Sequence, residues 1–451
     1  MSNSLAIEGA RVVDPASGRD EATGIYIADG RIAAIGAAPA GFHAQRTLDA
    51  RGLVVAPGLV DLCARMREPG SEGALRGEMR AALAGGVTGV VCPPDTHPPL
   101  DEPGLVRMLR QRSREAAGAR LYPLGALTAG LAGEALAEIH TLSQVGCVAF
   151  CQTGALLANH GTLLQAMRYA KTFDLPIWLH PVDETLVGDG VAGDGPMASR
   201  LGLPGIPVAA EVVALHTIFT LQRASGARIH ICRLSSAQGI ELVRAARREG
   251  LRVSADVCIH HVHLSDANIG DYDTSCRLDP PLRAQTDRDA IRAGLRDGTI
   301  DAICSDHAPV SLEDKLLPFG EARAGATGLE TLLPLVLDWA KNDGIDLVRA
   351  LAFVTSAPAQ ILGEDTGTLQ VGRKADLVVF DPQARWIVDA NTLVSSGVNS
   401  PYTGQQLTGR ARFTLVGGEI RFEAGQNLNS PLHATTDVAK PSFSLPRAGE
   451  G

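Results

Sequence analysis

Cys63, Arg65 and Arg67 follow the apolar run Leu53-Val54-Val55-Ala56-Pro57-Gly58-Leu59-Val60 at every second position, so on an extended strand they project to one side. That spacing suits a metal site at a strand mouth, but a thiol and two guanidiniums are the wrong residue types for it. Later apolar runs end in further polar residues: Asp95 after the second, Cys151, Gln152 and Thr153 on the fourth, and His180 on the fifth. The sixth offers His230 and Arg233, the seventh His260 and His261, and the eighth Asp306 and His307. Singly, a His or Asp ending a strand is more often a structural hydrogen-bonder than a ligand. Several converging on one mouth are what metal-assisted or acid–base chemistry needs.

Convergence requires a fold that gathers strand ends. Eight apolar runs can be counted: Leu59–Met66, Val87–Pro94, Arg120–Thr128, Cys147–Thr153, Pro176–Pro181, Arg228–Ser235, Arg252–His261 and Ile300–Pro309. Helical stretches fall between them, such as Glu102–Ala117, Ala155–Thr172, Ala209–Ser225 and Ser236–Glu249. This alternation predicts an α/β protein with a (β/α)8 TIM barrel, whose active site lies at the C-terminal strand ends. Residues 1–57 read instead as short strands with glycine turns, Leu5–Val13, Gly24–Ile27, Arg31–Ile35 and Thr47–Val55. Strand signals return at Gly367–Leu369, Ala375–Phe380 and Phe413–Phe422, after helices at Leu329–Lys341 and Leu347–Ile361. The expected organisation is a small β domain built from 1–57 and 366–423, a barrel over 58–365, and a flexible tail over 424–451.

Composition narrows the partners. The 451 residues carry a net charge of -9 without a basic tract, which argues against nucleic acid and anionic membranes. No apolar run approaches the roughly 20 residues of a membrane span. The first residues lack the pattern of a signal peptide, so a cytoplasmic location is expected. Eight cysteines are scattered without a Cys-x-x-Cys pair, and they read as buried free thiols.

Several stretches resemble the dihydroorotase family of the amidohydrolase superfamily: Pro57-Gly58-Leu59-Val60-Asp61 with Arg67-Glu68-Pro69-Gly70, Gly85-Gly86-Val87-Thr88, and Arg200-Leu201-Gly202-Leu203-Pro204-Gly205-Ile206-Pro207. Asp279-Pro280-Pro281-Leu282-Arg283, and Asp297 to Ala302 continuing to Ser305-Asp306-His307-Ala308-Pro309, extend the likeness over about residues 5–423. The resemblance implies a metal-bearing barrel with a flanking β domain and a place in pyrimidine synthesis.

The departures fall on the positions that matter chemically. The family's opening His-x-His-x-Arg is here Cys63, Arg65 and Arg67, so only the arginine is kept. The fourth-strand carboxylate or carboxylated lysine is absent from Phe150-Cys151-Gln152-Thr153-Gly154, with Thr153 at the ligand position. His180 and Asp306 survive as ligand positions, whereas the sixth-strand histidine is Arg233. His230 matches a family residue beside the ligand, and His260 and His261 match a family His pair. The residues that hold the substrate carboxylate in active relatives correspond to Arg67, Asp95, Asp279 and Val310, which adds two carboxylates to an anion site. Catalytic zinc takes about three protein ligands and an open position. A guanidinium about 4 Å from a divalent ion costs on the order of 8 kcal/mol at an effective dielectric of about 20.

No cofactor is therefore expected at the mouth, and Asp306 and Arg67 are carried over as vestiges of the catalytic base and the substrate clamp. The resemblance implies a role like that of inactive family homologues, which assemble as structural partners of aspartate carbamoyltransferase, in an oligomer. Two readings stay open beside it. One is an active cyclic amidohydrolase with a reduced zinc site built from His180, Asp306 and Cys63. The other is a sensor that binds a metabolite without turnover. If the metal is absent, the buried Asp306 needs a counter-charge, for which Arg65 and Arg233 come from the right strands.

Overall fold

Val87-Thr88-Gly89-Val90-Val91-Cys92 is buried at every position, as a strand covered on both faces must be, and the same holds for most of its neighbours. The structure, a computed structural model, describes residues 4–66, 72–153, 159–397 and 399–425. Arg67 and nearly all of the tail thus lie outside the described residues.

The N-terminal part forms strands β1 (Ser4–Asp14), β2 (Arg19–Ala28), β3 (Arg31–Gly36), β4 (Arg46–Asp49) and β5 (Val54–Pro57). The β2–β3 hairpin turns on Asp29 and Gly30, both at positive φ (49° and 77°), as a tight two-residue hairpin demands. The barrel strands are β6 (Leu59–Asp61), β7 (Val87–Cys92), β8 (Arg120–Ala126), β9 (Ala149–Gln152) and β10 (Ile177–Leu179). A two-strand ladder, β11 (Ala192–Gly193) and β12 (Gly205–Ile206), interrupts them before β13 (Ile229–Ile231), β14 (Val253–Cys258) and β15 (Ala302–Cys304). Strands β16 (Leu377–Ile387), β17 (Gln406–Val416) and β18 (Glu419–Glu423) end the described chain.

The barrel order is β6-β7-β8-β9-β10-β13-β14-β15, with every neighbouring pair parallel. A parallel bridge between Ala64 and His307 brings its two edges together. Backbone bonds from Arg65 N to His307 O (2.8 Å) and from His307 N to Cys63 O (3.2 Å) reinforce that seam. All eight expected barrel strands are present, each shorter than its apolar run. The lumen is filled by small and sulfur-bearing side chains, among them Cys63, Val91, Cys151, Cys258, Ala302 and Cys304, packed beside the large Trp178 ring. All eight cysteines are free thiols.

Helices cover the outside. Val208–Ser225 ends at Gly226 in the left-handed region (φ 67°), and Ala237–Arg248 starts at Ser236, whose Oγ accepts from the Gly239 N–H (3.0 Å). The two chain ends meet in one flanking sheet of order β18-β17-β16-β5-β1-β2-β3, with β4 beside β1. Its junction is the antiparallel β5–β16 pair, which sets Val55 opposite Val379 and Pro57 opposite Leu377. Because β6 follows β5 after one residue, this junction also fixes where the barrel begins.

Some expectations need correcting. His260 and His261 lie on a short helix, Ile259–His263, rather than at the end of a strand. Thr47–Val55 is two strands parted by the turn at Gly52 (φ 79°), and Phe413–Phe422 is a hairpin turning on Gly417 and Gly418. Leu347–Ile361 divides into helices Leu347–Ala352 and Ser356–Leu362, and Gly367–Leu369 is not a strand. No described helix is long and apolar enough to cross a membrane.

Candidate functional site at the barrel mouth

Asp306 comes two residues after β15 and adopts a left-handed conformation (φ 47°), as does Arg233, two residues after β13 (φ 56°). Non-glycine residues there carry backbone strain of order 1 kcal/mol or more, which the surrounding contacts must offset. Those contacts are ionic. Arg233 Nη1 donates to Asp306 Oδ1 (3.3 Å) and to the Asp279 carbonyl (2.8 Å), while its backbone N–H donates to Asp256 Oδ1 (2.7 Å). Arg65 Nη1 reaches the same Asp306 Oδ1 (3.3 Å), and its Nε donates to Asp95 Oδ2 (3.0 Å). The Cys63 thiol completes the set at 3.4 Å from that oxygen.

Three donors therefore converge on one carboxylate oxygen, and the side chains of Arg233 and Asp306 are only 5% and 9% exposed. Burial alone would favour loss of the Arg233 charge, but Asp306 and its neighbours outweigh it and hold the pKa well above the ordinary arginine value. Burial likewise pushes the Cys63 thiol well up, so it sits here as a neutral donor.

Above this cluster opens a cleft of about 460 Å³ lined by Arg65, Asp95, Thr153, His180, Arg233 and Asp279, among others. His180 Nδ1 bonds to the Cys232 carbonyl (3.2 Å), which turns Nε2 toward Asp279 Oδ1 at 3.9 Å. The structure thus brings Cys63, Arg65, Thr153, His180, Arg233 and Asp306 to one mouth, with the two guanidiniums between Asp306 and the cleft. Val310 is buried, with its N–H on Asn399 Oδ1 (3.0 Å), and takes no part in the cleft lining.

Other histidines serve elsewhere. His307 is fully buried and locked between the Gly328 N–H (3.2 Å on Nδ1) and Glu78 Oε2 (2.9 Å on Nε2). Ser395 also donates to Glu78 (2.6 Å), so this site ties the helix Glu72–Ala84 to the seam of the barrel. His230 faces the lumen below the mouth. Asp61, Glu78 and Asp256 were missed as site residues in the sequence. For Asp61 and Asp256 the signal was present as lone carboxylates within apolar runs, for example Ala255-Asp256-Val257-Cys258, whereas Glu78 lies between arginines on a helix and carries no such mark.

Comparison with known proteins bears on this arrangement. A dihydro-orotase-like family model matches residues 52–239, and an amidohydrolase family model matches 201–422. The chain is 46% identical over 418 residues to a dihydroorotase-like protein of Pseudomonas putida, covering 92% of this chain and 98% of that one. It is 45% identical over 421 residues to a dihydroorotase-like protein of Pseudomonas aeruginosa (93% and 99% covered). The chain belongs to the dihydroorotase family. A dihydroorotase of Syntrophotalea carbinolica is 40% identical over 420 residues, covering 93% of this chain and 99% of that protein. Among solved structures, the L-hydantoinase (dihydropyrimidinase) of Arthrobacter aurescens superposes with a TM-score of 0.82 at 25% identity, covering 94% and 96% of the two chains. The Brevibacillus agri dihydropyrimidinase shares the fold at 19% identity, with a TM-score of 0.78 and 94% and 96% covered.

Dihydroorotase family members of this fold imply a metal at the barrel mouth, and the residues present do not fit one there. Arg65 and Arg233 stand where the family resemblance would place two ligands, and their guanidiniums occupy the Asp306 oxygen a metal would share. Arginine has no lone pair to offer a cation. Thr153 supplies no carboxylate, which leaves His180, the already engaged Asp306, and Cys63, whose thiol is kept in the neutral form by burial.

Proposed function

We propose that this dihydroorotase family member is catalytically silent toward dihydroorotate and serves pyrimidine synthesis as a structural partner of aspartate carbamoyltransferase. One observation carries the first half: Asp306 Oδ1 is held by Arg65 and Arg233, each at 3.3 Å. Hydrolysis of a cyclic amide needs an activated water and a base to take its proton. Here the base position is covered by two fixed cations, and the groups that would hold a water-activating ion are replaced.

The second half rests on surface. The loop after β15 carries the short helix Leu312–Lys315 and exposes Leu312 (55%), Leu316 (75%) and Leu317 (42%) beside the mouth. Lys315 Nζ donates to the Thr274 carbonyl (2.8 Å), which joins this loop to the segment bearing the exposed Tyr272. Large apolar side chains grouped at a rim are a common feature of protein contacts. The loop 183–195 adds the exposed Leu186.

A dihydroorotate hydrolysis assay with added zinc tests silence, and turnover abolished by Asp306→Asn would overturn it. Co-expression with the organism's own aspartate carbamoyltransferase, followed by size-exclusion chromatography and a transferase assay, tests partnership. Separate elution with unchanged transferase activity would remove it. The open cleft favours a second reading, metabolite binding without turnover, since it presents cations and carboxylates together. Equilibrium dialysis with dihydroorotate and carbamoyl aspartate decides that point.

A further inference from the structure

Below the mouth, inside the barrel, lies a second cluster that the reading above does not use. His230 and Cys232 alternate along β13 and its extension, so both face the lumen, and Asp256 on the adjacent β14 faces them. One donor atom from each of these three residues lies within 4.8 Å of the others. His230 Nε2 is 2.8 Å from Asp256 Oδ2, and the two side chains are 2% and 1% exposed. The Cys304 thiol on β15 approaches the other Asp256 oxygen at 3.5 Å.

We propose that His230, Cys232 and Asp256, with Cys304 as the fourth donor, form a binding site for a borderline-soft divalent cation of the zinc class, separate from the barrel mouth. An imidazole, a carboxylate and thiols are the donor types zinc selects in closed tetrahedral sites. Zinc bonds of about 2.0 to 2.3 Å place tetrahedral ligands some 3.3 to 3.8 Å apart. The His230–Asp256 pair therefore opens by about half an ångström, and both thiols, Cys232 and Cys304, move in.

The surroundings are of the kind such a site requires. His230 Nδ1 bonds to Ser254 Oγ (2.8 Å), which fixes the ring with Nε2 aimed at the cluster, and the Arg233 N–H orients Asp256. The Trp178 ring packs on His230 with centroids 4.6 Å apart, which keeps the imidazole from turning. At the far end of the barrel a second cleft of about 260 Å³ is lined by Trp178, His230 and Ser254, so it reaches one member of the cluster. Binding releases the Cys232 and Cys304 thiol protons, so affinity rises with pH.

The alternative is a hydrogen-bonded His–Asp pair that binds nothing. Cobalt(II) added to the full-length chain distinguishes the two, because a tetrahedral thiolate site gives intense sulfur-to-cobalt charge-transfer absorption. We expect about one equivalent with that band, displaced by zinc. Cys232→Ser should weaken the band and lower cobalt affinity at least tenfold, while Cys63→Ser and Asp306→Asn at the mouth leave both unchanged. His230→Gln, which can still hydrogen-bond Ser254 and Asp256, should lose the zinc-induced rise in Tm seen for the parent chain. No thiolate band, or one unaffected by Cys232→Ser, overturns the proposal. Cobalt lost in Asp306→Asn instead places the ion at the mouth, and with turnover of dihydroorotate it would defeat the silent reading as well.

Discussion

At the scale of single residues, the mouth of this barrel shows how the cost of a buried carboxylate depends on its company. Asp306 shares one oxygen between Arg233, which is almost wholly buried, and Arg65, whose side chain is 28% exposed. Breaking a buried ion pair from one side costs on the order of 3 kcal/mol, whereas a partly solvated partner contributes about 1 kcal/mol or less. Arg233→Ala should therefore lower unfolding stability by roughly three times as much as Arg65→Ala in urea titrations. Equal losses would mean the two guanidiniums are interchangeable. The histidines near the mouth give a second prediction. Burial depresses His260 to about 3 and His261 and His263 to about 4, so the unfolded chain binds protons these residues refuse as pH falls below about 6.5. Burial raises Asp61 to about 6 and Glu330 to about 7, so the folded chain binds protons there that the unfolded chain releases. Between pH 5 and 6, three histidines outweigh two carboxyls by one proton. Stability should fall by on the order of 1.4 kcal/mol per unit as pH falls across that window. His263→Gln, which retains a donor for the Leu335 carbonyl, should flatten the slope; the parent bond is 2.9 Å.

At the scale of elements, polar staples rather than apolar area alone set the angles of the helices. Glu211, in the first turn of Val208–Ser225 and 3% exposed, accepts from the Ser235 N–H (2.8 Å), the Ser235 hydroxyl (2.7 Å), the Ser236 N–H (3.1 Å) and the Ser236 hydroxyl. It therefore caps the start of the next helix, and Glu211→Ala strands two buried N–H groups at a cost on the order of 3 kcal/mol. Thermal unfolding of that variant beside Glu211→Gln checks this, because glutamine keeps one acceptor and should lose less. The eight barrel strands were legible because each is a run of apolar residues bounded by turn residues. Their ends were less legible, since polar residues that close a strand look the same whether they continue it or start a helix. His260 and His261 illustrate this: the chain turns helical at Ile259, and nothing in the local pattern marks that turn. The hairpin at Gly417 and Gly418 had a readable Gly-Gly signal, whereas the partners of Glu78 and Glu211 come from distant or successive loops and could not be paired by periodicity. At the mouth, the residue types were legible and their pairing followed from charge; the lumen cluster required the register of β13 on β14.

At the scale of the whole molecule, the β5–β16 pairing makes the two chain ends one sheet, and that sheet leads directly into the first barrel strand. Val55 and Val379 are buried in the core of that sheet. Val379→Asp should thus destabilise the barrel as well as the sheet, with a single cooperative transition shifted to lower urea rather than a separate early step. Two resolved transitions by fluorescence and circular dichroism would show the sheet unfolding independently.

The shared oxygen of Asp306 also bears on the mutational routes open to this chain. A histidine placed at position 65 alone leaves Arg233 on the carboxylate, and one placed at 233 alone leaves Arg65 there. Each single step adds a potential ligand while the remaining cation still repels the metal, and each also removes half of the counter-charge that stabilises the fold. The two replacements are therefore coupled, because either one alone leaves a cation on the Asp306 oxygen. Substitution paths toward a metal at the mouth therefore cross intermediates that have lost one partner of Asp306, so the clamp acts as a ratchet on sequence change.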